Sequence, residues 1–155
     1  MLGAAARARR ESRSGYVGGR GMSRVEGLAE IVLWVADMEA ALQFYRDRFG
    51  LEIMSPPEMP NKFLMVAKPG GIPEMIVLIP HPHKANYFPR HKEERVLHHL
   101  AFRVDRKSYG ELENRFIEDG VEVRHGVHPV LKGVRTFYVD DPDGNEVEVI
   151  GPESA

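Results

Sequence analysis

Metal-binding side chains are plentiful in this chain, which has seven histidines and 23 acidic residues but no cysteine. Any metal must therefore be held by His, Asp or Glu, because thiolate sites and disulfides are both excluded. Three of these residues fall at matching strand positions: Glu30 in "EIVLWV", His99 in "HLAFRV" and Glu148 in "NEVEVIG". One imidazole and two carboxylates form a hard, anionic donor set of the kind that suits Mn, Mg, Zn or Ni.

Strand parity puts the three on one face. Successive side chains on a strand point to opposite sides. Ile31, Leu33 and Val35 form an apolar set for a helix to cover, as do Leu100, Phe102 and Val104, and Val147 with Val149. The opposite face carries Glu30, Val32 and Trp34 in one strand, His99, Ala101 and Arg103 in the next, and Glu146 with Glu148 in the last. On that face Trp34 is either a wall for an aromatic ring or plain apolar filling. Arg103 either holds a substrate carboxylate or pairs with Glu146. Glu146 reads as a solvated carboxylate at a sheet edge, and His98 faces the helix side as a structural residue. His91, His125 and His128 sit in polar connections and read as surface groups.

The elements that place these residues occur twice. "EIVLWVADMEAALQFYRDRFGLEI" and "HLAFRVDRKSYGELENRFIEDGVEV" share one plan of strand, polar turn, helix, glycine and second strand. Met38, Leu42, Tyr45 and Phe49 recur at helical spacing before Gly50, and Tyr109, Leu112, Phe116 and Ile117 do so before Gly120. Two further strands follow in each half, "KFLMVAK" and "EMIVLIP", then "RTFYVDD" and "NEVEVIG". Each half reads βαβββ, so the class is α+β. The spacing predicts a first module over about 25–80, a Pro- and His-rich connection over 81–95, and a second module over about 96–152.

Composition bounds the rest. Hydrophobic residues at 43% and charged residues at 28% are globular values, and 155 residues suffice for one domain. No apolar run approaches the roughly 18 residues that a spanning helix needs, so no membrane role is expected. The net charge of -2 gives no basic face for nucleic acid. Residues 1–22 hold five Arg against one Glu, a net of +4 that leaves -6 for the remainder. This arm lacks an apolar period and reads as disordered, either an Arg-rich transit segment or a non-native leader before a domain over 23–152.

At these residues the sequence resembles the vicinal oxygen chelate superfamily of glyoxalases, bleomycin resistance proteins and extradiol dioxygenases. "VADMEAALQFYRDRFGL" is similar to its first helix signature, and "DPDGNEVEV" to its closing strand. The resemblance implies paired modules whose mixed β-sheets form an open cup with the helices outside. It also implies one divalent ion (Fe, Mn, Zn, Ni or Mg) on the inner face, with Glu148 as a ligand. "LHHLAFRV" and "FYVDDPDGNEVEV" resemble the extradiol dioxygenases, which implies that His99 binds metal and Tyr138 is catalytic, with His83 or His81 as an acid/base. Those enzymes carry a second His where this chain has Glu30.

Two functions follow from the resemblance. One is a metal-dependent enzyme, a lyase, isomerase or dioxygenase, acting on a small substrate that chelates the ion through neighbouring oxygens. The alternative is a metal-free binding or drug-sequestering protein of the bleomycin-resistance kind. A cytoplasmic homodimer is expected in either case.

Overall fold

The computed structural model describes residues 25, 27–68, 70–83, 89 and 91–153, so the arm over 1–22 lies outside the described residues. The first half contains β1 (Glu30–Val35), α1 (Met38–Leu42) continuing as a π-helical segment (Gln43–Arg48), β2 (Glu52–Ile53), β3 (Lys62–Ala67) and β4 (Glu74–Pro80). After a 3-10 turn at Lys92–Glu94 come β5 (Leu100–Arg103), α2 (Arg106–Glu118), β6 (Arg124–Gly126), β7 (Val134–Asp140) and β8 (Glu146–Pro152). The strands form two open mixed sheets ordered β1-β4-β3-β2 and β5-β8-β7-β6. In each sheet one pair is parallel, β1 with β4 and β5 with β8, and the other pairings are antiparallel. The βαβββ repeat is therefore real, and β1 and β5 are edge strands.

Local chemistry sets the helix limits. The Asp37 carboxylate accepts from the backbone N–H groups of Glu39 and Ala40 at 2.9 and 3.1 Å, and Asp105 caps α2 by accepting from Ser108 N at 2.7 Å. Gly50 and Gly120, at φ 73° and 71°, take the left-handed conformation that ends each helical segment.

Both halves share one core. Leu33 and Val35 of β1, Leu100 and Phe102 of β5, and Val147 and Val149 of β8 are all buried in it, as their parity requires. Burying each such side chain contributes about 1.5–3 kcal/mol. Aromatic rings join the halves: Phe44 meets Phe116 at 5.6 Å between centroids, and Phe49 meets Phe102 at 4.8 Å.

Four expectations are corrected. The π-helical segment brings both Phe44 and Tyr45 inward, adding Phe44 to the inward set of Leu42, Tyr45 and Phe49. Ile117 is exposed, because α2 already buries Tyr109, Leu112 and Phe116 and the next residue rotates away. The second strand after α2 lies at Arg124–Gly126, since Val121 and Val123 pack against the core before pairing begins. Finally, β8 runs between β5 and β7, so Glu146 does not sit at a sheet edge. Among the described residues no helix is long and apolar enough to cross a membrane.

Candidate functional site

The residues on the uncovered face of the second sheet converge on Glu148. Its strand neighbours in register are Ala101 of β5 and Tyr138 of β7. Glu148 is only 3% exposed, yet among the described residues no Lys or Arg pairs with it. Tyr138 Oη donates to Glu148 Oε1 at 2.7 Å, and His99 Nε2 lies 3.3 Å from Glu148 Oε2. Burial and then the bond to Glu148 raise the pKa of the Tyr138 hydroxyl, keeping it a donor at neutral pH. His99 is half-exposed and closes the cluster toward solvent.

Glu146, two residues earlier on the same face, has a different environment. It bonds Lys92 of the 3-10 turn and Arg124 of β6, the latter at 3.1 Å, while Arg124 also bonds Asp140 at 2.7 Å. Burial pushes the Glu146 carboxyl up, but the bonds from Lys92 and Arg124 outweigh it and the net pKa is lowered. Lys92, Arg95, Arg124, Asp140, Gly144 and Glu146 line a polar cleft of about 350 Å³. Glu146 is thus neither solvated nor paired with Arg103, which is exposed and makes no ion pair among the described residues.

This contrast decides which carboxylate suits a cation. His98, His99 and Glu146 have donor atoms within 4.8 Å of one another, the one such group of three among the described residues. Proximity favours Glu146, but two cations already neutralise it and would repel a divalent ion. Glu148 is buried and, among the described residues, has no Lys or Arg partner, and burying a carboxylate is unfavourable unless hydrogen bonds, a charge or a metal compensate it. The 3.3 Å between His99 Nε2 and Glu148 Oε2 matches the roughly 3.0–3.4 Å separating adjacent ligand atoms when each bond is about 2.1 Å. These two donors fit a divalent ion.

The remaining expected site residues lie elsewhere. Glu30 opens β1 opposite Met75 and is exposed; it does not join the His99 cluster. Trp34, 51% exposed, meets the His81 ring at 5.2 Å, and His81 meets His83 at 5.8 Å. Glu30 and Trp34 therefore lie on the first sheet, with His81 and His83 just past the end of β4, whereas Glu148, Tyr138 and Arg103 lie on the second, with His99 just before β5. His98 is exposed and bonds His99, not the helix side as its parity suggests, because β5 begins only at Leu100 and leaves both histidines outside strand geometry.

The profile of the Glyoxalase/Bleomycin resistance protein/Dioxygenase superfamily matches residues 27–149, and the chain belongs to that superfamily. It is 26% identical over 117 residues to a catechol-2,3-dioxygenase of Bacillus subtilis (strain 168). The match takes in 76% of this chain but spans only 38% of that enzyme's length. A glyoxalase/dioxygenase from Nostoc punctiforme superposes with a TM-score of 0.64 at 22% identity, covering 86% of this chain and all of its own. The fosfomycin resistance protein FosX from Listeria monocytogenes gives 0.62 at 21% identity, covering 84% of this chain and 96% of its own. At such identities the two structures establish the shared fold.

Proposed function

We propose that this chain is a divalent-metal-dependent enzyme acting on a small substrate that chelates the ion through two neighbouring oxygens. The observation that carries it is the buried Glu148 carboxylate, which faces His99 Nε2 and has no Lys or Arg partner among the described residues. His99 and Glu148 supply two ligands, and Glu30 of a second copy supplies the third. Support for the shared site comes from the edge positions of β1 and β5 and from the exposure of Glu30, Val32 and Trp34.

The metal would act as a Lewis acid that favours an oxyanion on the bound substrate. The protein's groups then have separate tasks. Tyr138 keeps its proton and turns it from Glu148 to the substrate oxygen on which charge develops. Trp34 of the second copy covers the apolar part of the substrate, and Arg103 pairs with an acidic substituent. His81, which meets the Trp34 ring on that second copy, or its neighbour His83 moves protons, as lyase or isomerase chemistry requires. A second carboxylate in place of a second His suits a redox-inert ion better than the two-His-one-carboxylate set of ferrous oxygenases.

Metal analysis of untagged protein tests the reading. One tightly held divalent ion per His99–Glu148 site is expected, lost in Glu148→Ala; an inability to bind Mn, Zn, Ni, Mg or Fe would overturn it. Mixing tests the shared site. Copies carrying Glu30→Ala and copies carrying Glu148→Ala should together regain one intact site per heterodimer, whereas each alone has none. A strict monomer by light scattering at micromolar concentration would remove the second copy from the proposal.

One observation favours a second reading. Glu30 stands apart from the His99 cluster, and a cup with two ligands could serve as a metal-free binding pocket of the drug-sequestering kind. Quenching of Trp34 fluorescence by aromatic ligands, unchanged by EDTA and by His99→Ala, would establish that reading in place of the first.

A further inference from the structure

The adjacent histidines His98 and His99 point their Nδ1 atoms at each other, 2.8 Å apart. Two imidazole nitrogens at that distance share one proton, so one ring donates and the other accepts. The opposite nitrogen of His99, Nε2, faces Glu148 Oε2 at 3.3 Å. His99 is therefore held at both ring nitrogens by different groups. Its tautomer follows from which nitrogen carries the proton.

From this geometry we infer that His98 is the positioning residue that sets the tautomer of His99. The inference rests on the metal reading above and concerns what lies behind the ligand. For Nε2 to offer a lone pair toward a cation shared with Glu148, the neutral ring must carry its proton on Nδ1. A proton there needs an acceptor, and the nitrogen within reach is His98 Nδ1. His98 then carries its own proton on Nε2, facing solvent from an exposed position. Ligating histidines characteristically donate their other N–H to a neighbouring acceptor, which fixes the ring and raises its basicity. In most sites that acceptor is a carboxylate or a carbonyl; here it is the preceding residue's imidazole. The arrangement depends on the segment just before β5 being released from strand geometry, since alternation would otherwise send the two side chains to opposite faces.

Nitrogen-15 NMR of the histidine rings tests the inference, with Zn(II) as a diamagnetic probe. In the zinc-loaded protein His99 should be protonated at Nδ1 and metal-bound at Nε2, while His98 is neutral with its proton on Nε2. His98→Ala should weaken Zn(II) binding by about 10- to 100-fold, and His98→Asn, which restores an acceptor oxygen, should recover part of the loss. Coordination through His99 Nδ1, or unchanged zinc affinity in His98→Ala, would overturn the inference. The metal-free protein supplies an independent arm. There, removal of His98 should shift the His99 tautomer population, and an unchanged ring spectrum would refute the role of His98 whether or not zinc binds. If wild-type protein binds no divalent ion while the ring spectrum still responds to His98→Ala, the metal reading fails and the tautomer coupling stands.

Discussion

Tyr45 of the first half donates its hydroxyl to Asp141 Oδ2 of the second at 2.8 Å, across 96 residues of sequence. Both groups are buried. The same carboxylate accepts from the backbone N–H groups of Asp143 and Asn145 and from Asn145 Nδ2, and the neighbouring Asp143 accepts from Ala36 N at 3.0 Å. The turn that opens β8 is thereby fastened to the first half's helical segment and to the end of β1. Glu146 and Glu148 follow immediately.

Removing the hydroxyl should cost stability. Tyr45→Phe leaves the buried Asp141 one donor short, a loss of about 1–3 kcal/mol by urea unfolding. Burial is the main reason that the Asp141 pKa is raised, with its hydrogen bonds opposing the shift. Taking one bond away should raise it further. A group with a raised folded pKa favours the fold below its unfolded value, and that benefit is lost as pH rises through the folded value. The gap between wild type and Tyr45→Phe should therefore widen from pH 4 to pH 7; a constant gap would show that Asp141 does not titrate differently in the variant.

Glu148 should show a trade between stability and function. A buried carboxylate without a cation is a liability to the metal-free fold. Glu148→Gln should leave the metal-free protein as stable as wild type or more so, while abolishing tight metal binding and the stabilisation that added metal confers. Marked destabilisation of metal-free Glu148→Gln would mean that the negative charge is already compensated by other groups.

Much of this architecture was legible in the sequence. The duplicated "VADMEAALQFYRDRFGL" plan, the parity of Leu33, Val35, Phe102 and Val149, and the Gly50 and Gly120 stops are local signals that tertiary packing leaves intact. Trp34 and Arg103 are on the uncovered faces that their parity assigns. What escaped were relations between distant residues. Nothing near Glu146 announces Lys92, which is 54 residues away and reaches it through the connection. Tyr45 looked like one apolar helix position among four, because its hydroxyl partner is in the other half. Alternation misplaced His98, since it assumes a strand that begins one residue too late to include either histidine.

Glu146 makes a pH prediction of opposite sign. Lys92 and Arg124 lower its folded pKa below the ordinary 4.5 despite burial. Its stabilising effect should be fully present above that value and vanish as pH falls through the lower folded value. Urea unfolding of Glu146→Gln against wild type should give its largest difference near neutral pH and little difference near pH 2. A difference that persists undiminished at pH 2 would assign the effect to packing instead of charge.

The closing prediction concerns a glycine. Gly126 of β6 lies against the Tyr138 ring, where an added Cβ would sit 2.7 Å from a ring carbon and 3.3 Å from Thr136 Oγ1. No real Cβ tolerates the first distance, so in Gly126→Ala either the β6 backbone or the tyrosine ring must shift. The ring is the softer of the two, because Tyr138 is only half-buried and its hydroxyl is held at the rim of the site by Glu148. Its displacement would withdraw the hydroxyl from Glu148 Oε1 while leaving His99 in place. Gly126→Ala should therefore fold with a loss of about 1–3 kcal/mol and bind metal nearly as well as wild type. Its turnover should fall about as far as that of Tyr138→Phe, and combining the two substitutions should add little in turnover. If instead the double variant multiplied the two losses, the glycine and the tyrosine would act on the site separately, and Gly126 would owe its place to the path of β6 alone.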